Sequence, residues 1–127
     1  MKISLKKLNK WSAFKLIIWP GLMVPITKVE VKQAIANKAL RVESYIDLSP
    51  SCPPFREQHI QRIAFLVINK DNKPIEIDVG VPSLGCRPRH IICDGNHRLA
   101  AAFYRRDKYI EANVSGSVDL IKEMFVF

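Results

Sequence analysis

The run Ile91-Ile92-Cys93-Asp94-Gly95-Asn96-His97-Arg98-Leu99-Ala100-Ala101-Ala102 constrains this chain more than any other stretch. Ile91, Ile92 and Cys93 form a short apolar strand that delivers the backbone to Asp94. Gly95 permits a tight turn that a side chain would obstruct. The alanine-rich stretch beyond it favours a helix and is small enough to lie close against a sheet. Strand, glycine turn and helix in immediate succession point to an α/β architecture. A helix beginning at Asn96 or His97 leaves several N–H groups without intrahelical acceptors. Its aligned peptide dipoles also place about half a positive charge at that end. Such a pole receives anions, and Arg98 adds a planar guanidinium able to hold a phosphate through two parallel hydrogen bonds.

The rest of the chain supplies elements to build around that junction. Its 127 residues suit one domain with a real core, and 48% hydrophobic with 25% charged residues is ordinary globular composition. Thr27 and Glu30 have the spacing of a capping box, with Val31, Ala34 and Ile35 on one face of the helix that follows and Asn37 as its stop. Alternation over 41–48 predicts a strand ending at Ser49-Pro50, and 51–54 a proline-rich loop. Ile60, Ile63, Ala64 and Val67 recur at helical spacing over 56–69. Ile75, Ile77, Val79 and Val81 alternate through a strand over 74–81, with Glu76 and Asp78 on its other side. A loop over 82–89, a strand at 90–93, a helix over 96–106, a strand over 109–114 and a helix over 118–125 complete the order. The expectation is a single α/β (α+β) domain, a small mixed sheet with flanking helices over 41–127. Residues 1–40 form a basic N-terminal extension packed on it.

Charge is uneven. The net charge is +8, and residues 1–54 carry nine Lys or Arg against three acids. Lys2, Lys6, Lys7, Lys10 and Lys15 precede the first acid, so they are candidates to contact nucleic-acid phosphates by releasing counterions. A solvated basic arm is the competing reading. Three cysteines, Cys52, Cys86 and Cys93, cannot all pair, which favours a reduced, cytoplasmic setting. The uncharged run over 16–26 is broken at Trp19-Pro20-Gly21 and at Pro25, unlike a signal peptide or a membrane span. It reads instead as a buried extended segment or a strand pair turning at Pro20-Gly21.

Asp94-Gly95-x-His97-Arg98 opening an alanine-rich helix resembles the signature of the ParB/sulfiredoxin superfamily, over roughly residues 41–116. The resemblance implies a loop that cradles nucleotide phosphates on Gly95, Asn96, His97 and Arg98, completed by residues of 51–56, Arg56 among them. It also sets limits. Sulfiredoxins carry their reactive cysteine where this chain has Asn96, which argues against that activity. Chromosome-partition ParB proteins read Gly-Glu-Arg-Arg here and add a second motif that is missing. The form with histidine is similar to the ADP-dependent serine kinases of the superfamily and to small ParB-like nuclease proteins of phages and plasmids.

From residues and resemblance together, the expected function is nucleotide or phosphate binding, extending to phosphoryl transfer or phosphodiester hydrolysis of a nuclease, NTPase or small-molecule kinase type. Asp94 and His97 are the candidate catalytic groups; the competing reading is a capped helix, with Asp94 accepting first-turn N–H groups and Arg98 paired with Asp94 or Glu76. Gly95, Asn96, His97, Arg98 and Arg56 are the phosphate ligands. The cofactor is a nucleotide of the ATP, ADP or CTP class, with Mg2+ as its companion ion near Glu76, Asp78 or Asp94. His59 and Arg62 either approach the phosphate from a facing helix or form a solvated stripe. Cys86, His90, Cys93 and His97 have a zinc-like spacing, but alternate side chains of a strand diverge, so no metal ligands are assigned. The alternatives are a non-catalytic nucleic-acid-binding module and a mobile-element protein that binds and inhibits a host machine. No membrane partner is expected.

Overall fold

Alternating burial of Ile75 and Ile77 against Glu76 and Asp78 produces the central strand β2 (Ile75–Asp78), around which the sheet is built. The computed structural model describes residues 1–44, 55–88 and 90–126. Among them the other strands are β1 (Lys2–Ser4), β3 (Ile92–Asp94) and β4 (Tyr109–Ser115), and the helices are α1 (Lys28–Ala36), α2 (Phe55–Ile68), α3 (Asn96–Arg105) and the short α4 (Val118–Ile121). The sheet order is β1-β4-β2-β3, with β4 parallel to β2 and the two outer pairings antiparallel. The fold is therefore a small mixed α/β arrangement, with Glu76 and Asp78 on an interior strand rather than an edge.

The amino-terminal residues join this sheet instead of trailing from it. Lys2, Ile3 and Ser4 pair with Glu111, Ile110 and Tyr109. The chain then winds into a 3-10 helix (Leu5–Trp11), whose period of three puts Leu5, Leu8 and Trp11 on one side. Ile3, Leu5 and Leu8 are buried in the same core as Ile75, Ile77, Ile92, Leu99 and Phe125. Truncating this stretch would remove a strand and three core residues.

Helix α3 lies between two cores. Leu99 and Ala102 belong to the sheet-side cluster, whereas Ala100 belongs to a second cluster formed by α1, α2 and residues Ala13, Leu22 and Ile26. Three consecutive alanines let α3 be enclosed on both sides, with Leu99 the one larger side chain among its buried residues. The capping box of α1 forms as expected: Glu30 N–H donates to Thr27 Oγ1 and Thr27 N–H to the Glu30 carboxylate.

Two expectations fail locally. Residues 41–44 carry no strand, while 45–48 and the 51–54 loop lie outside the described residues. The run over 16–26 forms turns and bends with no strand, and Leu16, Ile17, Met23 and Val24 are exposed while Leu22 and Ile26 are buried. Among the described residues, no helix is long and apolar enough to cross a membrane.

Candidate functional site

Gly95 is the hinge between β3 and α3, and its backbone is left-handed with φ at 93°. Steric contact adds to conformation here: a Cβ at this position would stand 2.5 Å from Ile75 Cγ2 and 2.8 Å from Arg98 Nη2. Among the described residues, no side-chain hydrogen bond caps the start of α3. Asp94 therefore does not take the first-turn amides, which as a class lack intrahelical acceptors. The helix opens beside a groove of about 410 Å³ whose lining includes Asn96, Cys93, Trp11 and Trp19.

Arg98 does not project into that groove. Its side chain is 13% exposed, Nη2 donates to the Pro74 carbonyl at 3.2 Å, and the same atom lies 3.6 Å from the Asp94 carboxylate. Asp94 itself is 61% exposed. The guanidinium braces the underside of the Gly95 turn and lines a second groove toward Lys70 and Lys73. Successive helical residues point in different directions, so His97 leaves this pair behind.

His97 meets His59 of α2, with Nδ1 of His59 2.8 Å from Nε2 of His97, one ring donating N–H to the other's lone pair. The indole of Trp19 lies flat over both rings, with centroids 4.3 Å from His59 and 4.4 Å from His97. His59 is 1% exposed. Burial pushes its pKa down from 6.5 to about 4. Burial, aided by His59, Arg62 and Arg98, pushes that of His97 to about 3. Both rings are thus neutral near neutral pH, so His97, expected among the phosphate ligands, brings no positive charge to one. His59 and Arg62 are likewise no solvated stripe, since Arg62 is buried and donates to the Val42 carbonyl at 2.7 Å.

Arg56 is committed to structure. Nε and Nη2 form a double bond set with the Glu30 carboxylate at 2.8 and 2.6 Å, while Nη1 and Nη2 donate to the carbonyls of Val24 and Pro25. This pairing ties α2 to α1 and engages four of the five guanidinium N–H groups, leaving one on Nη1. The five amino-terminal lysines are not gathered into one strip either. Lys2 and Lys6 face two adjoining grooves, Lys10 lies over the Trp11 ring at 4.6 Å, Lys7 is half-buried and Lys15 is exposed. On the 3-10 helix a period of three sets Lys6 apart from Lys7 and Lys10, while Lys2 and Lys15 lie outside it.

The acids near the loop have partners of their own. Glu76 accepts from Asn113 Nδ2 at 3.0 Å, and Asp78 accepts from Gly80 N–H at 2.8 Å. Among the described residues, no three His, Cys, Asp or Glu converge in a way that would hold a metal ion. The cysteine-histidine series does not converge: Cys86 and Cys93 are exposed, and His97 turns to His59.

Missing from the expectations was Trp19, the cover of the histidine pair. Its only signal was a tryptophan beside Pro20-Gly21 in an apolar run, which does not reveal a partner 40 or more residues away. Set against protein-family models, curated proteins and solved structures, the chain matches none of them.

Proposed function

We propose that the chain is a ParB/sulfiredoxin-like domain that binds a nucleotide, with phosphate on the first-turn amides of α3 and the base in the adjoining groove. One observation carries this reading: a left-handed Gly95 leaves α3 without a side-chain cap, and the helix opens onto a groove lined by Trp11 and Trp19. A helix start favours anions, and an apolar groove with aromatic walls suits a flat, weakly polar ring.

The roles of the motif residues change accordingly. Gly95 and Asn96 shape the mouth. Arg98 holds the turn from below through Pro74 and Asp94, and adds positive potential without direct contact. His97 pins α3 to α2 beneath Trp19. Asp94 faces Arg98 while His97 faces His59, so the two candidate catalytic groups do not form an acid–base couple at the mouth. The function proposed is accordingly binding, and a bound Mg2+ would be held mainly by the nucleotide's own phosphates.

Thermal melting with ADP, ATP and CTP, each with and without Mg2+, tests the proposal. At least one nucleotide is expected to raise the melting temperature. Asn96→Asp places a carboxylate at the helix start, where it favours the dipole but repels phosphate. The variant loses the long 3.4 Å bond from Asn96 Nδ2 to the Ile92 carbonyl and gains with the dipole, so it should melt close to the parent and lose the nucleotide-dependent rise. A parent indifferent to all three nucleotides, or an Asn96→Asp variant that keeps the full rise, refutes the proposal.

A further inference from the structure

At the opposite end of α3, two grooves meet along a ridge formed by Asp107, Lys108 and Tyr109. One, of about 590 Å³, takes in Lys6, Arg106 and Phe103. The other, of about 420 Å³, takes in Lys2, Lys70, Lys73 and Arg105. Together they are lined by eight Lys or Arg and three acids. The acids are already engaged. Asp107 pairs with Arg105 at 2.8 Å and Lys70 at 3.7 Å, Glu111 lies 3.6 Å from the amino-terminal nitrogen, and Asp71 accepts the Lys73 backbone N–H at 2.9 Å. Lys2, Lys6, Lys73, Arg106 and Lys108 are all exposed. On the ridge between the grooves stands Tyr109, 58% exposed although it opens a strand of the core sheet.

We infer that this double groove binds single-stranded nucleic acid, with the backbone following the cations on either side and a base stacked on Tyr109. The pattern fits that partner on three counts. Cations flanking an exposed aromatic ring match a strand whose phosphates and base faces are both accessible. A duplex hides its base faces, which would leave Tyr109 without a role. Apart from Lys108 on the ridge, the cations line the two grooves, which a narrow strand can follow more closely than a flat anionic bilayer. Two of the amino-terminal lysines, Lys2 and Lys6, join the surface; the others do not.

The test is fluorescence anisotropy of the full chain with a labelled twenty-nucleotide oligo-dT, titrated at several salt concentrations. Tight binding at low salt should weaken with a slope of about −0.7 per phosphate contacted. Lys73→Glu combined with Lys108→Glu should flatten that slope by about 1.4 and weaken binding at least tenfold; both side chains are exposed, and circular dichroism is the control for the fold. Tyr109→Ala should cost about tenfold on oligo-dT and nothing on a duplex of equal length. Asn96→Asp should bind oligo-dT like the parent, which separates this surface from the nucleotide mouth. No binding at low salt overturns the inference, as does a folded lysine variant that binds like the parent. Equal loss from Tyr109→Ala on duplex and single strand, or capture by phosphatidylserine vesicles without oligo-dT binding, overturns it too.

Discussion

The histidine pair under Trp19 should make the stability of this domain fall steeply on mild acidification. In the unfolded chain both imidazoles take up a proton near 6.5, whereas in the fold they do so only near 4 and 3. The unfolded state therefore binds more protons throughout the interval between. Stability is complete above about pH 6.5 and is lost as pH falls toward the folded values. Each unit below 6.5 costs about 1.4 kcal/mol per ring, hence about 2 kcal/mol per ring at pH 5. One proton can be shared across the 2.8 Å contact, but a second would set two N–H groups face to face. The loss at pH 5 thus lies between about 2 and 4 kcal/mol, a large part of the 5–15 kcal/mol typical of a domain. Urea unfolding followed by tryptophan fluorescence between pH 7.5 and 5 measures it. The control is His59→Phe combined with His97→Phe, which keeps two rings beneath Trp19 and removes both titrations. Repulsion from the net charge of +8 acts on both proteins alike, so the difference between them isolates the pair. Parallel pH profiles in parent and variant refute this account, as would ring resonances of His59 and His97 titrating near 6.5 in the folded parent.

Gly95→Ala should lower stability by about 3 kcal/mol, combining the left-handed backbone penalty with the collision against Ile75 Cγ2, read as a fall in the denaturation midpoint. Glu30→Gln removes the carboxylate that serves both the α1 cap and the Arg56 pair. It should cost about 1–2 kcal/mol, since the pair is partly exposed. The Arg56 ion pair holds the Glu30 carboxyl down from 4.5 to about 2. That contribution is present above about 4.5 and fades as pH falls toward 2, so it leaves the histidine-driven loss at higher pH separable. Equal melting of the Glu30→Gln protein and the parent would show that Glu30 contributes little.

Local rules carried far into this fold. Thr27 and Glu30 announced a helix start that forms with both reciprocal bonds, and the Gly95 junction placed β3 and α3 to within two residues. Ile75 and Ile77 marked the buried face of β2. What escaped had either too little length or too much separation. Lys2–Ser4 is too short for alternation to register, and a period of three over Leu5, Leu8 and Trp11 fits neither the α nor the β template. Reading a lysine-rich start as an extension missed the edge strand for that reason. Glu30 with Arg56, and Trp19 with His59 and His97, are contacts between distant segments that no window spans.

The same separation redistributes the meaning of the Gly-x-His-Arg sequence. Adjacent side chains on a helix diverge, so the two basic residues of the motif serve different neighbours: His97 reaches α2 and Arg98 reaches the start of β2. Each becomes part of the scaffold that fixes where α3 begins. A pole defined by backbone amides has to be held rigidly, because its field fades within the first turn. Burying the imidazole beneath an indole and the guanidinium beneath a glycine achieves this while leaving the amides uncapped. Part of the solvent-facing positive charge gathers at the other end of the helix, beside Tyr109. The two ends of α3 thus present different chemistry, a small uncapped mouth and a broad basic surface. A variant confined to one end should leave binding at the other intact.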